Sequence, residues 1–357
     1  MNKKYTWVDS FKGIAICGVV LIHTGGSNLP SILGKIGDAG ARGVQMFFII
    51  SAFLTFLSLG KCFAVSERNL YKKSVVKWLL KRFLRIAPLY YIVLIYSLLA
   101  TKAGAGSITP LNILSHFCFL NAFFPHYINS ILSIEWYIAD LPIFYLISIL
   151  IFQKINTSRK AFILMSISVV CSLIVCYLLY YLVGNNNYDL IAYFLSFSFI
   201  TEFPLWAIGI FLYFLFREGL IAKYKGNRMI SYALMAISLC FIGSLIIGGN
   251  NYMMLFLFGI GFACLIVSQE IHTCKIINNK LWASIGKNSY GIYLFHLYCM
   301  GIYQKYCSFP NITNHKTIKF GISYIIILAI SYILAIIARH VIENPLVKLG
   351  NKILDKK

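Results

Sequence analysis

Lys12 and His23 lie eleven positions apart on the first apolar stretch of the chain. In a helix that spacing is ~16 Å of axial rise and within ~20° of whole turns, so both side chains share one face. Asp9, three residues before Lys12, can pair with it. A cation at one end of a helix and an imidazole at the other could hold an anion and take up a proton.

Three more places hold ionisable groups where a bilayer would make them costly. The run Lys81-Arg-Phe-Leu-Arg-Ile-Ala-Pro-Leu-Tyr-Tyr91 sets Arg82 and Arg85 on one face, a spacing suited to the forked recognition of phosphate. Ser133-Ile-Glu-Trp-Tyr137 places Glu135 beside Trp136 and Tyr137, a carboxylate next to two rings on which a sugar could stack. Ser289-Tyr-Gly-Ile-Tyr-Leu-Phe-His296 buries an imidazole in a span, with Ser289 and Tyr290 at its start; Glu343 follows near the end of the last span, four residues after Arg339. Each group also has an ordinary explanation: a snorkelling lysine, cytoplasmic anchoring charges, an interfacial aromatic belt, a packed core histidine, a helix-end ion pair.

The elements that must position these residues follow from composition. With 59% hydrophobic and 12% charged residues in 357, the chain is too apolar for a soluble domain. Ten transmembrane helices are predicted near 8–26, 43–60, 85–102, 133–152, 161–183, 200–217, 229–247, 251–269, 286–304 and 319–340. The fold class is therefore all-α, a polytopic transmembrane helical bundle spanning residues 1–357 as a single membrane-embedded domain. The stretch 108–124 is short and contains His116 and Asn121, which reads as re-entrant or interfacial; 188–200 reads as another such segment or as an outward extension of the sixth helix. The basic N-terminus resembles a signal peptide without a small-residue cleavage site and is expected to stay as the first helix.

The formal charge of +21 is a topology signal. All but six of the 32 Lys and Arg fall on alternate loops, which puts both termini in the cytoplasm and leaves no need for a nucleic-acid partner. Residues 61–85 form a basic cytoplasmic loop whose segment from Leu70 to Arg85 is patterned as an amphipathic helix in the headgroup plane. Residues 351–357 read as a flexible tail. Ten cysteines show neither paired nor metal-like spacing, and no metal is expected.

In order and spacing these pieces resemble the acyltransferase 3 family of bacterial membrane acyltransferases. The resemblance rests on Asp9-Ser-Phe-Lys-Gly-Ile-Ala15 with His23, Gly43-Val-Gln-Met-Phe-Phe-Ile-Ile-Ser-Ala-Phe-Leu54, Lys81 to Pro88, Ser133 to Tyr137, and Ser289 to His296 with Glu343-Asn-Pro345. It implies an enzyme of the bacterial cytoplasmic (inner) membrane. The acyl group, acetyl most simply, would come from cytoplasmic acetyl-CoA or another acyl-CoA used as co-substrate. The acceptor would be a hydroxyl of a lipid-linked or surface glycan such as O-antigen or capsule, outside the cytoplasm. His23 would be the general base, or else a transient acyl carrier. Glu135 would orient the sugar or the imidazole, Arg82, Arg85 and Lys12 would bind the donor, and Trp136, Tyr137 and His296 would line the acceptor site. Asp9, Ser289, Tyr290 and Glu343 would support them.

The chain departs from the family in having Lys12 where arginine is usual and Ser51-Ala-Phe53 where Ser-Gly-Phe is usual. No counterpart of the extracellular hydrolase-like domain of some members is expected, so the chain would act alone or hand the acyl group to a partner. A flippase or exporter, or a non-catalytic partner in polysaccharide synthesis, is the alternative. No inverted repeat favours the transporter.

Overall fold

A computed structural model describes residues 5–65, 71–100, 108–183, 187–248, 252–306 and 316–355. Every regular element among them is helical. In chain order they are α1 (Trp7–His23), α2 (Ser31–Ala39), α3 (Gly43–Val65), α4 (Tyr71–Ala100), α5 (Pro110–Phe117), α6 (Trp136–Phe152), α7 (Ser158–Val183) and α8 (Tyr188–Ser196). There follow α9 (Phe199–Arg217), α10 (Arg228–Gly248), α11 (Tyr252–Ile271), α12 (Lys280–Lys287), α13 (Ser289–Tyr306), α14 (Lys316–Ala338) and α15 (Asn344–Asp355). Seven helices among the described residues are long and apolar enough to cross a membrane. Three of the ten predicted spans correspond to helices outside that group. α1 and α6 have only 17 residues each, and α13, with 18, is diluted by polar residues such as His296, Gln304 and Lys305.

The chain forms two compact units, one of residues 1–50 and 219–341, the other of residues 51–218 and 342–357. In the first, α1 runs along α12, α10 along α11 and α13 along α14, with α13 and α14 also against α1. The crossing of α1 and α12 depends on glycine: a Cβ on Gly13 would overlap the carbonyl of Trp282, and one on Gly286 would overlap that of Asp9. Small residues at a crossing let two backbones touch, which is how helices gain packing in lipid. α1 stops at His23 because Thr24 turns its hydroxyl back onto the carbonyls of Val20 (2.8 Å) and Leu21 (3.1 Å). Gly25 then takes a left-handed φ of 94°. The imidazole of His23 is thereby held at a helix end.

In the second unit α7 packs along α9, α6 touches α4 and α9, and α15 lies against α4, where a Cβ on Gly350 would overlap Leu84. Several segments differ from the sequence reading. The stretch from Tyr71 to Arg85, predicted to lie apart in the headgroup plane, is the first half of the 30-residue α4, because no helix breaker intervenes before Pro88. Residues 351–355 of the predicted loose tail continue α15. The 108–124 stretch, read as too short for a span, contains the short α5 and a 3₁₀ turn at Asn121–Phe123; of the two readings of 188–200, a separate short segment fits, since α8 ends at Ser196 and Phe197 and Ser198 break it from α9. Lys3, Lys4, residues 66–70 of the basic loop and residues 356–357 of the tail lie outside the described residues.

Candidate active site

In the first unit, the end of α1 and the middle of α13 bring two predicted residues together. The rings of His23 and His296 lie 5.0 Å apart, centroid to centroid, inclined by 53°. His296 is 1% exposed, whereas His23 is exposed. The His296 Nδ1 lies 2.7 Å from the carbonyl of Tyr293 and 3.3 Å from that of Ile292. A carbonyl only accepts, so this nitrogen carries the proton and Nε2 presents a lone pair. That Nε2 is buried and has no hydrogen-bond partner among the described residues. A buried acceptor without a donor is costly, and such groups call for an explanation in what the site does.

Directly after His23 the chain borders an open cleft of about 370 Å³. Thr24, Gly25 and Asn28 line it from one side, and Tyr303 of α13 with Lys316 and Lys319 of α14 from the others. Lys12 is half-buried on the same helix as His23, and Asp9 is half-buried where α1 meets α12. Ser289 is buried and Tyr290 half-buried in the first turn of α13. Just ahead of them Asn288 donates to the carbonyl of Ser284 (2.9 Å) and accepts from Arg339 (3.4 Å).

In the second unit the predicted basic pair is split by environment. Arg85 is exposed; Arg82 is half-buried in an aromatic setting. Its Nη2 donates to Ser58 Oγ (2.7 Å) and to the Leu54 carbonyl (3.3 Å), and its guanidinium lies 5.1 Å from the Trp78 ring centroid and 5.4 Å from that of Tyr145. Trp78 Nε1 donates to the same Ser58 Oγ (2.9 Å). The charge borders an otherwise apolar cleft of about 260 Å³ lined by Leu79, Phe83, Ile86, Phe119 and Tyr145. Guanidinium stacking of this kind leaves other N–H groups for a ligand.

Glu135 is fully buried and occupied by its own loop. Oε1 accepts from the Ile131 amide (2.8 Å), and Oε2 from those of Leu132 (3.1 Å) and Ile134 (3.0 Å). The Nε2 of fully buried His116 lies 3.1 Å from Oε1, and its Nδ1 donates to the Asn112 carbonyl (2.9 Å). Ser133, within this turn, has a left-handed φ of 64°. The Ser133-Ile-Glu motif is thus a strained turn pinned by its own carboxylate. Trp136 and Tyr137, read as sugar-stacking rings, are buried: Trp136 packs on Phe197 (5.2 Å between centroids) and Tyr137 lies within hydrogen-bond reach of Ser51 (3.3 Å). Neither presents a ring face to a ligand in this conformation. Glu343 falls in the π-helical turn Arg339–Glu343 that leads into α15.

Sequence reading did not single out Ser58, Trp78 and Tyr145 around Arg82, the partnership of His116 with Glu135, the cleft lysines, or Glu202. The last, fully buried on α9 as Asp140 is on α6, could have been found as an acidic residue inside a predicted span. Among the described residues no group of three or more His, Cys, Asp or Glu could hold a metal ion.

These features define a multi-pass helical membrane protein with a paired-imidazole site at the end of its first helix. The sequence model of the acyltransferase 3 family, described as an acyltransferase domain, matches residues 5–339, and the chain belongs to that family. Neither a curated protein nor a solved structure gives a match.

Proposed function

We propose that this acyltransferase moves an acyl group, acetyl most simply, from cytoplasmic acyl-CoA to a hydroxyl of an extracytoplasmic glycan such as O-antigen or capsule. The setting is the bacterial inner membrane, with ten spans and both termini in the cytoplasm. The observation that carries this reading is the Nε2 of His296, without a partner among the described residues, beside the exposed His23. His23 takes the proton of the acceptor hydroxyl as its oxygen attacks the thioester carbonyl carbon. The C–O bond of the new ester forms and the C–S bond breaks. The proton then passes to the departing thiolate, giving free CoA. As His23 becomes an imidazolium it gains a second N–H, and the lone pair of His296 becomes an acceptor for it, stabilising the cation as the third member of a catalytic triad does.

Arg82 and Arg85 bind the phosphates of the donor, and Lys12 adds a cation on the helix that carries His23. Glu135 acts as a positioning residue, holding the turn ahead of Trp136 and Tyr137. The test is incubation of the purified protein with labelled acetyl-CoA and acceptor glycan, followed by thiol release and by mass spectrometry of the glycan. Turnover in the wild type, lost in a folded His23→Ala variant, is the expected result. Silence with and without acceptor would end the enzyme reading, and full turnover by His23→Ala would remove that residue from the mechanism.

A further inference from the structure

We propose that the acceptor carries a negative charge, and that Lys316 and Lys319 bind it in the cleft beside His23; this rests on the transferase reading above. The side of the chain read as extracytoplasmic holds only six Lys and Arg. Of those described, Lys35 donates to the Ile247 carbonyl (3.0 Å), Arg42 lies over the Phe258 ring (5.5 Å) and Lys305 over that of Tyr306 (5.1 Å). Lys316 and Lys319 remain. They are three apart on α14, so they share a face; both line the cleft, and among the described residues no carboxylate does. Neither has an ion pair or hydrogen bond among the described residues. Two like charges on one face repel each other unless an anion lies between them.

The rest of the lining suits a carbohydrate. Tyr303 and Phe320 are aromatic surfaces, and Asn28, Gln304 and Ser323 supply neutral hydrogen-bonding groups. The cleft begins at Thr24, the residue after the proposed base. An acidic sugar held there by its carboxylate or phosphate would bring a neighbouring hydroxyl toward His23.

The test is equilibrium titration of the full chain, in nanodiscs of neutral phosphatidylcholine, with a hexuronate trisaccharide and with a neutral hexose trisaccharide. The hexuronate is expected to bind about tenfold more tightly, the scale of two exposed ion pairs. The double variant K316Q/K319Q and added salt should each erase that difference while leaving the neutral sugar unchanged. Equal affinity for the two sugars, no measurable hexuronate binding, or a variant that binds like wild type would overturn the proposal. So would a variant that keeps its preference for hexuronate but no longer retains phosphatidylglycerol in mixed nanodiscs, which would mark the lysines as a lipid headgroup site. The titration contains no acyl donor, so its failure is distinct from failure of the labelled acetyl-CoA assay.

Discussion

The ring of His296 keeps a lone pair buried and, among the described residues, unmatched, although the ring of His23 sits only 5.0 Å away, centroid to centroid. The Tyr293 carbonyl holds the proton of His296 on the opposite nitrogen, so the imbalance is built into α13. A proton arriving on His23 is the event that would relieve it.

His23→Ala should lower turnover by about 10²- to 10⁴-fold, the usual contribution of a general base. His296→Phe keeps a ring of similar bulk but removes the lone pair, and should cost about tenfold in kcat with little change in KM. Thiol release from acetyl-CoA measures both. Unchanged kcat in His296→Phe would reduce the pair to a packing contact.

Glu135→Ala should act on stability before chemistry. It would strand the buried amides of Ile131, Leu132 and Ile134 and the fully buried His116 ring, at a cost of several kcal/mol. Glu135→Gln, which keeps one carbonyl oxygen, should fall between. Thermal unfolding in detergent would show the order. A Glu135→Ala protein that melts like wild type yet cannot turn over would make Glu135 part of the chemistry.

Arg82→Lys preserves charge but loses the planar group seated between Trp78, Tyr145 and Ser58. We expect the KM for acetyl-CoA to rise about tenfold, corresponding to roughly 1.4 kcal/mol, with kcat nearly intact. Arg85→Ala, at an exposed position, should have a smaller effect. Unaltered donor kinetics in Arg82→Ala would remove the residue from donor binding.

Gly286→Ala should destabilise the protein by about 1–3 kcal/mol, since the added methyl meets the backbone of α1, which cannot move aside as a side chain can. Gly243→Ala on α10 provides the control, because among the described residues nothing lies within 4 Å of its new Cβ. There we expect no loss and a gain of up to about 1 kcal/mol. Equal melting temperatures for the two variants would contradict the close crossing of α1 and α12.

The importance of Gly13 could be read as part of a motif but not as a contact, since its partner Gly286 is distant along the chain. The SIEWY run gave the reverse difficulty. Its residue types suggested a sugar platform, whereas the turn at Ser133 folds the carboxylate back onto its own amides and sends both rings inward. Continuity of α4 across Arg85 was obscured because a charged amphipathic stretch and an apolar span have different patterns, though nothing in the backbone separates them.

Apolar composition was enough to indicate a helical membrane protein, because hydrocarbon admits few residue types and few backbone shapes. The ordered motifs were enough to place it in its family. Folding alone decided which side chains meet: His23 with His296, Glu135 with His116, Arg82 with Trp78 and Tyr145. The helical repeat relates neighbours a few positions apart, while contacts between distant segments depend on how whole helices cross.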